Sequence, residues 1–315
     1  MTFFIIRRPT SVNRYLSTTT FCLIASYAWS TDYSFLNEET FVQQNIVWHI
    51  ESDYSKIAPA KMTTGDVFGT ELHYSEGNAS MYFSHFLNNE NALAWELGVN
   101  DTDINWKENP RFTGHNYLYG ITSLSWISYG LERWRWVLNA GVAFDAQTWN
   151  FGKSAVYFTT VWGRYAQLNN LGIHLGFFAY YGALNGYVLP ILGFDWRPVH
   201  EFEIRAVVPL DVSATYYFNN YLSTSIMATS MGGPYRFPRR AHGGIGEFDE
   251  AIFKVYSTAI EWDIKWTQKE YFSLGVGGGW DFGGWIQISD AHNHHKKNYD
   301  FNGAAYGRVF GSLTF

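Results

Sequence analysis

The stretch Ala259–Trp266, "AIEWDIKW", alternates strictly. As a strand it places Ile260, Trp262, Ile264 and Trp266 on one face and Glu261, Asp263 and Lys265 on the other, because successive side chains point to opposite sides. Such a segment needs apolar surroundings on one side and water or counter-charges on the other.

The same pattern recurs along the chain. In "RWRWVLNAGVAFDAQ" the face Trp134, Trp136, Leu138, Ala140, Val142, Phe144, Ala146 opposes Arg133, Arg135, Asn139, Gly141, Asp145, Gln147. In "LAWELGV" Leu93, Trp95, Leu97 and Val99 oppose Ala94, Glu96 and Gly98, and in "EFEIRAVV" Phe202, Ile204, Ala206 and Val208 oppose Glu201, Glu203 and Arg205. The segment "FSLGVGGGWDFGGWIQI" sets Phe272, Leu274, Val276, Trp280, Phe282, Ile286 and Ile288 against serine, glycine and Asp281. Several of these runs exceed the usual length of a strand in a globular domain.

Composition points the same way. Of 315 residues 47% are hydrophobic and 19% aromatic, with 14 Trp, 22 Tyr and 25 Phe, a load that favours strands and membrane interfaces over soluble helices. No apolar run reaches the ~18 residues of a membrane helix, and a barrel needs none, since only alternate residues meet lipid.

The segment 1–28 reads as a signal peptide: Arg7, Arg8 and Arg14 precede an apolar stretch from Leu16 to Ile24, and Ser26-Tyr27-Ala28 forms a small-x-small cleavage pattern. Its threonines keep a disordered basic tail as the alternative. The single cysteine, Cys22, lies inside this segment, so a cleaved chain has no thiol for disulfides, metal or nucleophilic chemistry. Cleavage also removes three arginines and no acid, making the formal charge of −6 more negative still, which disfavours nucleic acid as a partner. Residues 29–45 are expected to be a periplasmic lead-in, and 46–315 a single barrel domain.

Short polar turns are expected near Asn88, Gly130, Leu168, Pro198, Asn219 and Gln268, with long connections after Asn100, Met231 and Ser289. Counting from about Phe41 gives an all-β, up-and-down antiparallel transmembrane β-barrel of about 14 strands, with 12 as the competing count. Pro209 marks either a tight loop or a kink. A soluble sandwich with inverted polarity is the alternative fold, since periodicity alone does not separate the two.

The chain ends "YDFNGAAYGRVFGSLTF", with Phe301, Gly303, Ala305, Gly307, Val309, Gly311, Leu313 and Phe315 on one expected face, and Tyr306 and Phe310 on the other. This ending resembles the bacterial outer-membrane β-barrel proteins, whose terminal aromatic residue is recognised by the barrel assembly machinery. Leu313 and Phe315 take that role by resemblance. "LPILGFDWRP" at Leu189–Pro198 and "VVPLDVSATYYF" at Val207–Phe218 resemble, more narrowly, an uncharacterised outer-membrane barrel family, which implies a barrel and no activity. The resemblance also implies bacterial outer-membrane localisation, with lipid and lipopolysaccharide as surroundings.

Three clusters carry candidate chemistry. Arg133, Arg135, Glu201, Glu203, Arg205, Glu261, Asp263 and Lys265 lie beside short turns and are expected to project inward as a charge belt near the periplasmic mouth. Such a belt either filters ions or braces the barrel through salt bridges, and its mixed signs argue against strong selectivity. His292, His294 and His295 in "HNHHKK" are weak metal candidates, since a site needs a fixed shell of three or four ligands and two lysines adjoin them. Arg236, Arg239, Arg240 and His242 could grip lipid phosphates, against the plainer reading of a solvated loop. No nucleophile–base–orienter set, no outer-membrane phospholipase-like segment and no phosphate loop is legible, so no catalytic residue and no cofactor is assigned. The expected function is a porin-like passive channel for small solutes or a structural barrel; a barrel enzyme acting on lipid or peptide and a closed barrel binding through its loops are the alternatives.

Overall fold

The computed structural model describes residues 46–315 apart from 65–66, 107–114, 132, 148, 150, 152–154, 169, 183–185, 237–250, 269–270 and 291–293. The expected segments 1–28 and 29–45, and Arg239, Arg240, His242 and His292, lie outside the described residues. The strands are β1 (Ile46–Lys61), β2 (Glu71–Asn88), β3 (Asn91–Trp106), β4 (His115–Leu131) and β5 (Trp134–Asp145). They continue as β6 (Val156–Leu168), β7 (Leu171–Gly182), β8 (Gly186–Val199), β9 (Phe202–Val208) and β10 (Asp211–Asn219). The last are β11 (Leu222–Met231), β12 (Pro234–Arg236), β13 (Ala251–Gln268), β14 (Phe272–Asp290) and β15 (Lys297–Thr314).

Neighbours in sequence pair antiparallel, β1 pairs with β15, and β11 pairs with β13, which closes the sheet. β12 extends the line of β11 along β13 in the same register, so the wall is a closed barrel of 14 strands. Closure pairs both edges of the sheet along most of the wall, the condition for a sheet to live in hydrocarbon. β3 runs on through Asp101–Trp106, so the connection expected directly after Asn100 begins later.

The turns at Asn88, Asn219 and their neighbours sit at the end that also carries Ile46 and Phe315, the periplasmic end by the usual barrel convention. Side-chain amides fix two of them: Asn88 Oδ1 accepts the Glu90 N–H, and Asn219 Oδ1 accepts those of Tyr221 and Leu222.

Alternation sorts the faces as the opening stretch requires. Trp262 is 56% exposed and Glu261 0%. Trp95, Leu97, Leu124, Leu138, Leu175, Ile226, Leu274 and Val309 join Trp262 on the lipid face. Two indole N–H groups on that face are satisfied across strands, Trp95 by Thr122 Oγ1 at 2.9 Å and Trp262 by Thr224 Oγ1 at 2.7 Å. Aromatic pairs Trp48–Phe83, Trp134–Tyr165 and Trp266–Phe272 collect near the periplasmic ends as a girdle.

Two departures from simple staves shape the interior. First, β9 and β10 are short, joined by a tight turn at Pro209 and Leu210. β8 therefore overhangs β9 by Gly186–Ile191, roughly 20 Å of strand, and β10 pairs β11 only as far as Ala228. Second, β14 carries an extra residue opposite β13 between Ser257 and Ala259, and Gly283 there has φ +84°. This bulge re-phases the alternation. Ile286, Ile288 and Phe301, expected on the lipid face, are instead buried inside the barrel.

The face assignment makes a test. Leu138→Arg and Val142→Arg are each expected to cost about 2–4 kcal/mol near the midplane, measured as loss of heat-resistant, fast-migrating barrel on unboiled gels. Arg at the lumen-facing Asn139, by comparison, is expected to leave a smaller lipid-insertion penalty.

Candidate functional site

The lumen is the only place where the strands bring unlike polar chemistry together among the described residues. On the β6–β8 wall the Arg164 guanidinium forks the Asp195 carboxylate, Nε and Nη2 each 2.6 Å from one oxygen. His174 Nε2 lies 2.7 Å from Asp195 Oδ1, and Trp162 donates its indole N–H to His174 Nδ1 at 3.0 Å. The indole can only donate, so Nδ1 accepts and Nε2 carries the proton towards Asp195. Next to it, Arg205 bridges Glu203 at 3.0 Å and Asp211 at 3.1 Å, and the Tyr217 hydroxyl donates to Glu203. These charges are paired.

The opposite wall is different. Arg308 of β15 sits 3.6 Å from Asp53 and 3.7 Å from Glu261, one cation shared by two acids. Glu76 is met by the Tyr74 hydroxyl at 2.8 Å and Asn100 at 2.7 Å. Glu96 accepts from Ser123 at 2.7 Å, and Glu51 from Tyr82 at 2.7 Å, with His49 Nε2 3.6 Å from its other oxygen. At Glu76 and Glu96 neutral donors meet hydrogen-bond demand without cancelling the charge. Within this wall a chamber of about 180 Å³ is lined by Glu51, Asp53, Glu76, Lys265 and Arg308 on one side and Tyr119 and Phe158 on the other. It extends from Ser273 and Ser312, near the periplasmic end, up to a roof of Met231, Gly232, Gly233 and Tyr235.

Above that roof the lumen is filled. Tyr74, Trp106, Tyr117, Phe178, Tyr235, Phe253, Ile286 and Tyr299 belong to one buried apolar cluster. Tyr235 of β12 reaches Thr102 Oγ1 of β3 at 3.1 Å and Tyr74 Oη of β2 at 3.5 Å, and its ring lies 4.8 Å from that of Tyr117 on β4. Several strands separate β12 from those partners around the wall. Residues Ile252–Ser257 of β13 are buried on both faces: Phe253 and Val255 join the cluster, while Tyr256 packs on Trp285 and, behind it, on Tyr187 of β8. The external ends of β11–β14 therefore fold into the barrel as a flap, sandwiched between β2–β4 and β8.

The sequence-derived belt is distributed differently. Glu203, Arg205, Glu261 and Asp263 face the lumen, and Lys265 lines the chamber. Arg135 lies inside, 5.6 Å from the Tyr129 ring. Arg133 and Glu201 do not join them: both are exposed in periplasmic turns, Arg133 with φ +68°. The residues that do are not one ring, because Arg205 pairs on its own wall and Glu261 pairs with Arg308. The triad Arg164, His174, Asp195 and the acids Glu51, Asp53, Glu76 were missed; their inward parity was readable, but their partners are distant in sequence. His294 and His295 lie in a loop pinned by Asp290, which accepts the His294 N–H and sits 2.9 Å from His295 Nδ1. No group of three potential ligands gathers there or elsewhere among the described residues. Leu313 and Phe315 are exposed on the lipid face at the seam, where the Phe315 N–H and C=O pair with Trp48.

A closed barrel with a lipid-facing apolar band and a charged lumen defines a transmembrane β-barrel of the outer-membrane type. The chain is similar to an uncharacterized protein of Chlamydia trachomatis serovar D, 24% identical over 280 residues covering 84% of this chain and 86% of that one. It is also similar to an uncharacterized protein of Chlamydia muridarum, 26% identical over 203 residues, 63% of this chain and 61% of that one. No family model matches. Among solved structures it is similar to an outer membrane channel from Pseudomonas putida F1, 7% identical, covering 86% of this chain and 95% of that one at a TM-score of 0.46. A FadL homologue of Pseudomonas aeruginosa is similar at 10% identity, covering 86% and 90% of the two chains with a TM-score of 0.35.

The shared cation makes a second test. Arg308→Ala is expected to destabilise the barrel by about 3 kcal/mol, because it leaves the fully buried Glu261 charged and alone. Adding Glu261→Gln is expected to recover part of that loss in a double-mutant cycle read by urea unfolding in lipid vesicles.

Proposed function

We propose that the protein is an outer-membrane channel for small hydrophilic solutes, held shut at its external end in this conformation and biased towards cations. The observation that carries this reading is the chamber wall: Glu76 is met by neutral donors, while Arg308 is divided between Asp53 and Glu261. A charged ring in a narrow pore selects by sign. On the facing wall Arg164 and Arg205 are already matched by Asp195, Glu203 and Asp211, so they do not offset the acids. Transport in such a barrel needs no chemical step, only an open path.

Bilayer recordings test this. The refolded barrel is expected to give discrete steps with a reversal potential favouring K⁺ over Cl⁻ in a KCl gradient. Glu76→Gln with Asp53→Asn is expected to shift that potential towards zero. Anion preference in the parent would sink the cation reading. The aromatic packing above the chamber favours a second reading, a permanently closed barrel that acts through its external loops. Lasting silence from folded protein, with no response to loosening of that packing, is the outcome it expects.

A further inference from the structure

We infer that the infolded ends of β11–β14 form a hinged gate, and that leaving the barrel's interior opens the chamber to the outside; this rests on the channel reading above. Three features define it. The fold line is built from backbone that side chains disfavour: Gly232 has φ +100° between β11 and β12, and Gly283 has φ +84° in β14. A Cβ on Gly232 would overlap the Val255 carbonyl, and one on Gly283 the Phe301 carbonyl. The Asp281 carboxylate accepts the Gly283 N–H at 2.7 Å and pins the bend.

The segment beyond the line is free of the wall on one side. β10 pairs β11 only up to Ala228, because the β9–β10 hairpin ends at Pro209 and Leu210. Thr229, Ser230 and Met231 therefore continue with β13 alone, and β12 with β13 alone. On its other side β14 stays paired with β15 from Gly283 opposite Asn302 to Ile288 opposite Lys297, so the flap turns about that ladder as its hinge axis, with β12, β13 and β14 moving as one hydrogen-bonded unit.

Away from the β14–β15 ladder, the contacts holding it shut are side-chain contacts. Tyr235 supplies the polar latch, through Thr102 and Tyr74, and stacks near Tyr117 and Tyr119. Tyr74, whose hydroxyl also donates to Glu76 at 2.8 Å, joins the latch to the chamber's own acid wall. A latch of ring contacts and one or two hydroxyl bonds is strong enough to hold a minor open state at low population and weak enough to release it.

The test uses full-length barrel in intact outer membrane, with Asn78→Cys as a reporter in the chamber. Asn78 lines the chamber. A membrane-impermeant maleimide added from outside reads access, independently of conductance. Tyr235→Ala is expected to raise the labelling rate about tenfold, the population shift for losing one buried hydrogen bond and its ring contacts. Tyr235→Phe, which keeps the ring and loses the hydroxyl bonds, is expected to fall between; it also serves if Tyr235→Ala fails to assemble, judged by mobility on unboiled gels. Equal labelling rates in parent and folded variants would overturn the gate. Faster labelling with no ionic current would keep the gate and remove the channel.

Discussion

Everything in this molecule follows from one constraint: a backbone N–H or C=O inside a bilayer must find its partner within the protein. Antiparallel pairing of neighbours meets it along most of the wall, and the β1–β15 and β11–β13 seams complete the circle. The short β9–β10 hairpin breaks the uniform height of that wall. Beside it, the ends of β11 and β12 keep only β13 as a partner. Folding inward takes their open edge away from lipid and buries it among Tyr74, Thr102 and Tyr117. The closed external half is a consequence of where the sheet places that edge.

The two halves of the lumen then obey different rules. The external half is a packed core, in which Trp106, Tyr117, Phe253 and Tyr299 are held by ring contacts and the Tyr235 hydroxyl meets those of Thr102 and Tyr74. The periplasmic half is polar, and many of its charged groups are held by donors or counter-charges from neighbouring strands. Asp195 shows how far this goes, taking bonds from Arg164 and His174 at once. The boundary between the halves is the chamber roof of Met231, Gly232, Gly233 and Tyr235.

Strand identity, facing and turn position were legible in the chain because they depend on a two-residue period and on local turn chemistry. Trp262, Ile264 and Trp266 face out and Glu261 and Asp263 face in, as their alternation alone requires. The same rule misplaced Ile286 and Ile288, because the bulge at Gly283 inserts one residue in β14 and reverses parity beyond it, and it misplaced Phe301, which lies opposite Gly284 on β15. Nothing local marks which glycine of that run bends. The candidate belt failed in part for a related reason: parity gives direction but neither height nor partner, so Arg133 and Glu201 fell in turns and the cation that meets Glu261 came from β15.

The sequence by itself determined long antiparallel strands with one apolar and one polar face and the places where they turn, since alternation, aromatic load and turn spacing are properties of neighbouring residues. Its last residues resembled an outer-membrane barrel; closure of the sheet separated that fold from a soluble sandwich. Only the tertiary structure decided that the lumen is shut outside and acidic within. That outcome depends on Tyr235 meeting Thr102, and on Arg308 lying between Asp53 and Glu261. Those contacts join strands far apart in the chain, at heights set by the register of the whole sheet, which no local pattern encodes.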